Sequence, residues 1–268
     1  MLKKKKAKYL DEQYLMANIR VALMRQKRMK PADFSFLLEI NDWSDIRSFL
    51  SSFGYSLSEK PTPDEIDELY RSHTRSLKEK ILALQLPEEL VDIFFVRTNS
   101  VQRLGEVSLV DFDGIVLDRF NALIEENLHP LITEYAKMKI DFYFIHASLR
   151  KHTITDKYLS RTKGFLSRED VRKLAGLDFE TTIATLAKGH YHKLCKRPLA
   201  RNNLDVYFDR EIADLFTAYR HDVIGVEGIF HYIYEKRLEL FDLRCALKGK
   251  CYRMPVSELQ KRMRNIHV

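Results

Sequence analysis

Val223–Lys248, VIGVEGIFHYIYEKRLELFDLRCALK, decides the fold class. Ile229, Ile233, Leu240, Leu243 and Leu247 recur at steps that keep them on one stripe of a long helix. Gly249 reads as its stop, and Pro255 opens a last helix through Leu259 and Met263. A sheet does not accommodate 26 residues of this period without a turn signal. The stretch therefore predicts a helical protein built around this segment.

Upstream, the same punctuation recurs. Leu10, Tyr14, Ala17, Val21 and Met24 are spaced four, three, four and three apart and predict an early helix; Pro31 ends it or opens the next. Asn41 or Asp42 caps the next, which stops at Gly54. Thr62-Pro63-Asp64-Glu65 is a start signal: Thr62 caps, Pro63 suits the first helical position, and Glu65 can close a capping box. Pro130 divides the stretch 112–149 into two helices. Ser167 caps another, with Gly176 as its stop, and Asp178 starts one more. Val91–Val96 and Val107–Val110 are short strand signals, the first fitting a helical core equally well. With no Pro- or Gly-rich linker, residues 9–268 read as one continuous all-α domain behind a basic tail at 1–8.

Composition agrees. Hydrophobic residues make up 45% and charged ones 31%, too apolar for a disordered chain and too charged for a membrane-embedded one. Glycine is 9 of 268 residues, roughly half of average usage, which disfavours folds rich in tight turns. The net charge of +7 includes Lys3, Lys4, Lys5, Lys6 and Lys8, which leaves +2 for the rest. That tail suits anionic headgroups. Cys195, Cys245 and Cys251 form no framework spacing, so reduced thiols and a cytoplasmic setting are expected. The lysine run is not followed by an apolar stretch, so no signal peptide is read there.

Several motifs invite chemistry. Leu109-Val110-Asp111-Phe112-Asp113-Gly114 resembles the first motif of the haloacid-dehalogenase-like phosphatases. There Asp111 would attack phosphorus and Asp113 would act as acid and base beside Mg²⁺. Ile115 replaces the threonine of that motif, and no paired aspartates follow downstream. The simpler expectation is that Asp111 or Asp113 caps a helix beginning near Gly114. His192 and Cys195 stand at helical spacing, but no matching second ligand pair follows. Lys193, Lys196, Arg197 and Arg201 form a small basic patch beside Tyr191, thin for nucleic-acid binding in a nearly neutral body. No catalytic, cofactor-binding or metal site is assigned. Lys236 and Glu239 stand three apart and can pair; on a surface that contributes about 0.2–0.5 kcal/mol, inside a cavity it can select a partner. An arginine follows an apolar residue at Ile19-Arg20, Val96-Arg97, Leu149-Arg150 and Leu243-Arg244, a recurrence compatible with repeated helical units.

Ordered along the chain, further motifs add up to a resemblance. They are Tyr14 through Arg20 to Met24, Asn41–Arg47 with Gly54-Tyr55, Ile140-Asp141 with Leu149-Arg150, Phe165–Glu169, Glu211, and Asp222–Glu227. They continue in Ile233–Arg244, Lys248-Gly249-Lys250 and Met254–Leu259. The chain resembles the C-type stalk component of bacterial and archaeal V/A-type ATPases (ATP synthases), the counterpart of the d-type component of eukaryotic vacuolar ATPases. The resemblance implies three similar helical bundles arranged as a funnel, without catalysis or cofactor. Its partners would be the D and F proteins of the central shaft and the membrane rotor (c/K) ring, at the cytoplasmic side of the membrane and without nucleic acid. Arg20, Arg150, Lys236, Glu239, Arg244 and Lys250 are the matched positions carried over as candidate motif or interface residues.

Overall fold

A computed structural model describes residues 14–95, 109–150, 156–201, 203–220 and 225–264. The side chains of 109–112 and 156–157 lie outside that description. Among the described residues there is no strand, as an all-α fold requires.

In chain order the α-helices are α1 (Leu15–Gln26), α2 (Pro31–Glu39), α3 (Trp43–Ser51), α4 (Pro63–Leu82), α5 (Glu88–Asp92), α6 (Leu109–Glu126) and α7 (Pro130–Leu149). They continue as α8 (Asp156–Leu159), α9 (Arg168–Leu174), α10 (Phe179–Leu186), α11 (Leu204–Thr217), α12 (Glu227–Cys251) and α13 (Val256–Arg262). Four of them start on side-chain caps of the kind read from the sequence, which satisfy orphan backbone N–H groups. Asp42 accepts from Ser44 N, Thr62 from Glu65 N, Ser167 from Asp170 N and Asp178 from Thr181 N. Gly54 and Gly176 follow α3 and α9 at φ +81° and +91°, where a side chain would be strained.

Some sequence expectations need correction. Gly249 does not stop the long helix, which runs on to Cys251; the left-handed residue past its end is Arg253 at φ 53°. Gly249 is buried instead, and a Cβ there would run into the Leu259 side chain. It is small because α13 crosses close. Glu65 does not reach back to Thr62 but binds Ser58 through its backbone N–H and its hydroxyl. The helix expected near Gly114 begins at Leu109, so neither Asp111 nor Asp113 caps it. The early helix starts at Leu15, and Leu10 and Val96-Arg97 lie outside the described residues.

Contacts gather into two compact units, one from residues 86–215 and one from 11–85 with 216–268. The sequence carries no linker because the second crossing between them falls within α11. In the terminal unit α12 is the central helix and packs against α1, α2, α4 and α13. Fifteen of its 25 residues are buried, on nearly every side; the expected stripe of Ile229, Ile233, Leu240, Leu243 and Leu247 is buried throughout, and the burial extends well beyond it. Phe34, Leu37, Ile46, Leu50, Ile66, Leu243, Leu247 and Met263 form its core. In the middle unit α7 plays the corresponding part, with α6 and α9 against it and 12 of 20 residues buried. Phe142 stacks on Phe208 of α11 at 3.9 Å and 2°.

Candidate functional site

In the terminal unit the pair expected from Lys236 and Glu239 is made, but it is no surface pair. Glu239 is fully buried on α12. Its Oε1 accepts from Lys236 Nζ at 2.6 Å and from the Tyr55 hydroxyl at 2.6 Å. Lys236 Nζ also donates to the Tyr55 oxygen at 2.9 Å and lies over that ring. On the other side Arg28 Nε stands 3.4 Å from Glu239 Oε2, and Arg28 Nη1 pairs with Glu235 at 2.6 Å. Arg25 donates to the carbonyls of Arg220 and Gly228 and to His231 Nδ1. One buried carboxylate thus joins α12 to the turn after α1 and the turn after α3.

Burial sets the electrostatics here. It raises the Tyr55 phenol well above its usual range, and Glu239 adds to that. It lowers the Lys236 ammonium, while Glu239 opposes it. It pushes His231 down to about 4 against Glu235, so this imidazole is neutral at pH 7. Removing one partner of such a buried set costs far more than the set contributes, because the rest are left unpaired and dry.

The other matched positions divide. Arg244 Nε donates to Asp67 Oδ1 at 2.6 Å and Lys248 Nζ to Asp67 Oδ2 at 2.8 Å, which fastens α12 to α4. Burial works against the Asp67 carboxylate, yet these two cations hold it below its ordinary value. Lys250 Nζ donates to the carbonyls of Leu38 and Ile40 and so satisfies the end of α2. Arg20 on α1 and Arg150 just past α7 are exposed.

The middle unit repeats the arrangement with other residues. Asp141 on α7 is fully buried and accepts from the Tyr191 hydroxyl at 2.7 Å, from Phe165 N at 2.8 Å and from Leu166 N at 3.2 Å. A Cβ on Gly164 would run into this carboxylate, so the loop before α9 closes over Asp141 only with glycine there. Burial pushes the Asp141 carboxyl up to about 7, with Tyr191, the two backbone N–H groups and Lys137 pulling the other way. The tyrosines were missed in sequence as a pair, although a signal exists. Asp42 caps α3 and Tyr55 follows 13 residues later; Asp178 caps α10 and Tyr191 follows 13 later, each after a glycine-bearing turn. A third carboxylate, Asp242, is fully buried on α12 and accepts from Arg264 N at 2.8 Å.

The remaining motifs resolve differently. Asp111 and Asp113 lie within α6, whereas the phosphatase motif needs them past the end of a strand, so that alternative is overturned. The side chain of Asp111 is outside the described residues. His190 stacks on Phe165 at 3.7 Å, and burial pushes the Cys195 thiol up to about 11. In the basic patch Arg197 pairs with Asp214 at 2.6 Å, and Tyr191 is buried with no face left for a base to stack on. An open groove between α6 and the segment before α9 is lined by Asp118, Asn121, Arg161 and Lys163; Arg161 closes on Asp118 and Lys163 on Glu125.

What these side chains do is fasten helices: each buried carboxylate is spent on donors from neighbouring elements of its own unit. That defines a helical protein whose polar interior is structural. The family model of the ATP synthase (C/AC39) subunit matches residues 107–262, more than half of the chain, and includes both central helices, Asp141, Tyr191, Lys236 and Glu239. The chain belongs to the ATP synthase (C/AC39) subunit family. No curated protein matches it.

Proposed function

We propose that the chain is a non-catalytic central-stalk component of a V/A-type ATPase. It joins the central shaft, made of the D and F proteins, to the membrane rotor ring and passes torque between ATP chemistry and proton or sodium movement. Its helical body carries the torque, and it works at the cytoplasmic face, peripheral to the membrane. Family membership carries this reading. The interior supports it: torque is transmitted by parts that do not yield, and close packing supplies that stiffness. Glu239 and Asp141 add directional fastening, since each bonds donors from separate elements of its unit. No helix among the described residues is long and apolar enough to cross a membrane. Arg20 and Arg150, exposed, are the positions open to a partner; Lys236, Glu239, Arg244 and Lys250 keep the bundle in shape.

Deleting the gene from its native host tests the reading. Membranes should lose ATP-driven ion pumping, and restoring the chain should restore it. Pumping that persists at the parental rate contradicts the proposal.

A further inference from the structure

The stalk reading leaves the exposed apolar stripe of α1 unused. The inner face of this helix is anchored in the terminal unit: Tyr14, Ala17 and Val21 are buried, and Asn18 donates to the Gly225 carbonyl at 2.7 Å. Opposite it, Leu15, Met16, Ile19 and Leu23 are 45%, 64%, 48% and 58% exposed. Their spacing of three and four puts them on one continuous stripe. Four of the nine large hydrophobic side chains exposed among the described residues lie on this single helix of 12. An apolar stripe this concentrated marks a contact surface.

Charge says which kind. Residues 14–32 contain five basic side chains and no acidic one. Arg25 and Arg28 turn inward, and Arg20, Lys27 and Lys30 are exposed beside the stripe or just past it. Before the helix come Lys3, Lys4, Lys5, Lys6 and Lys8. The stripe itself holds only Leu, Met and Ile, without the Trp, Tyr and Arg anchors that carry protein–protein hot spots. Aliphatic stripe, basic flank and adjoining lysine run are the two signals that hold a helix in the surface of an anionic bilayer.

We propose that α1 is an interfacial helix that lays Leu15, Met16, Ile19 and Leu23 into an anionic lipid surface, steered there by the lysine run. The lysines supply salt-sensitive attraction and the stripe supplies insertion. The inference stands apart from the stalk reading, because lipid vesicles contain neither shaft nor ring.

The test is co-sedimentation of the full chain with phosphatidylcholine vesicles with and without phosphatidylglycerol. Binding should require phosphatidylglycerol and weaken with salt. The double variant Ile19→Asn/Leu23→Asn keeps every lysine and changes only exposed positions; it should bind about tenfold more weakly or worse, with its helical circular dichroism unchanged. Separately, Leu23→Trp should shift its emission to the blue on addition of anionic vesicles. Three results would overturn the proposal. One is equal binding by the double variant, which leaves the tail acting alone. Another is binding indifferent to phosphatidylglycerol. The third is a double variant altered only in self-association, which would give the stripe to a second copy.

Discussion

Asp141 carries the clearest consequence for a single side chain. Its carboxyl is pushed up to about 7 by burial on α7, despite three hydrogen-bond donors. The sign follows from linkage. An acid that titrates higher in the folded than in the unfolded chain is held in its protonated form by folding. Its contribution is full below the ordinary carboxylate range and lost as pH rises through about 7. Asp141→Asn keeps the acceptor and removes the titration. Between pH 5 and 8 the wild type should lose about 2–3 kcal/mol more than this variant in urea unfolding. Parallel pH profiles would show that the carboxyl ionises as freely in the fold as in water. Glu239, the carboxylate of the terminal unit, has Lys236 at 2.6 Å and Arg28 at 3.4 Å beside it. Sequence spacing made the Lys236–Glu239 contact legible. It left open whether the pair was wet or dry, since that depends on Tyr55, 181 residues away from Lys236.

Helix starts were the most legible elements, because caps are local chemistry: Asp42, Thr62, Ser167 and Asp178 each do what their position predicts. Helix ends and burial were less so. Gly249 reads as a stop by composition, yet its smallness serves the crossing of α13 over α12, a tertiary demand invisible to a local rule. Gly249→Ala places a methyl against Leu259 and should cost about 1–3 kcal/mol, with helix content unchanged by circular dichroism. A stability equal to wild type would mean that Leu259 swings aside freely. Likewise α7 and α12 are buried well beyond any single stripe, and their central place is recognised from contacts. The 13-residue interval from capping aspartate to buried tyrosine was present in the sequence twice, but only the two bonded carboxylates give it meaning.

Across the chain, the fold class and the family were both legible, and the two-unit organisation was not, since the terminal unit is assembled from the two ends of the sequence. The two units share one design: a long enclosed helix, a carboxylate with no exposure, and a tyrosine delivered by a capped helix and turn. Such an interior holds shape and leaves exchange with partners to the outer faces. Arg20, Arg150 and the α1 stripe are on those faces. The most direct measurement is affinity purification of the tagged chain from its native membranes, with the accompanying proteins identified by mass spectrometry. The account predicts recovery of shaft and ring proteins at fixed stoichiometry with ATPase activity in the same fraction. A chain that emerges alone, from membranes whose ATPase is recovered intact without it, would contradict it.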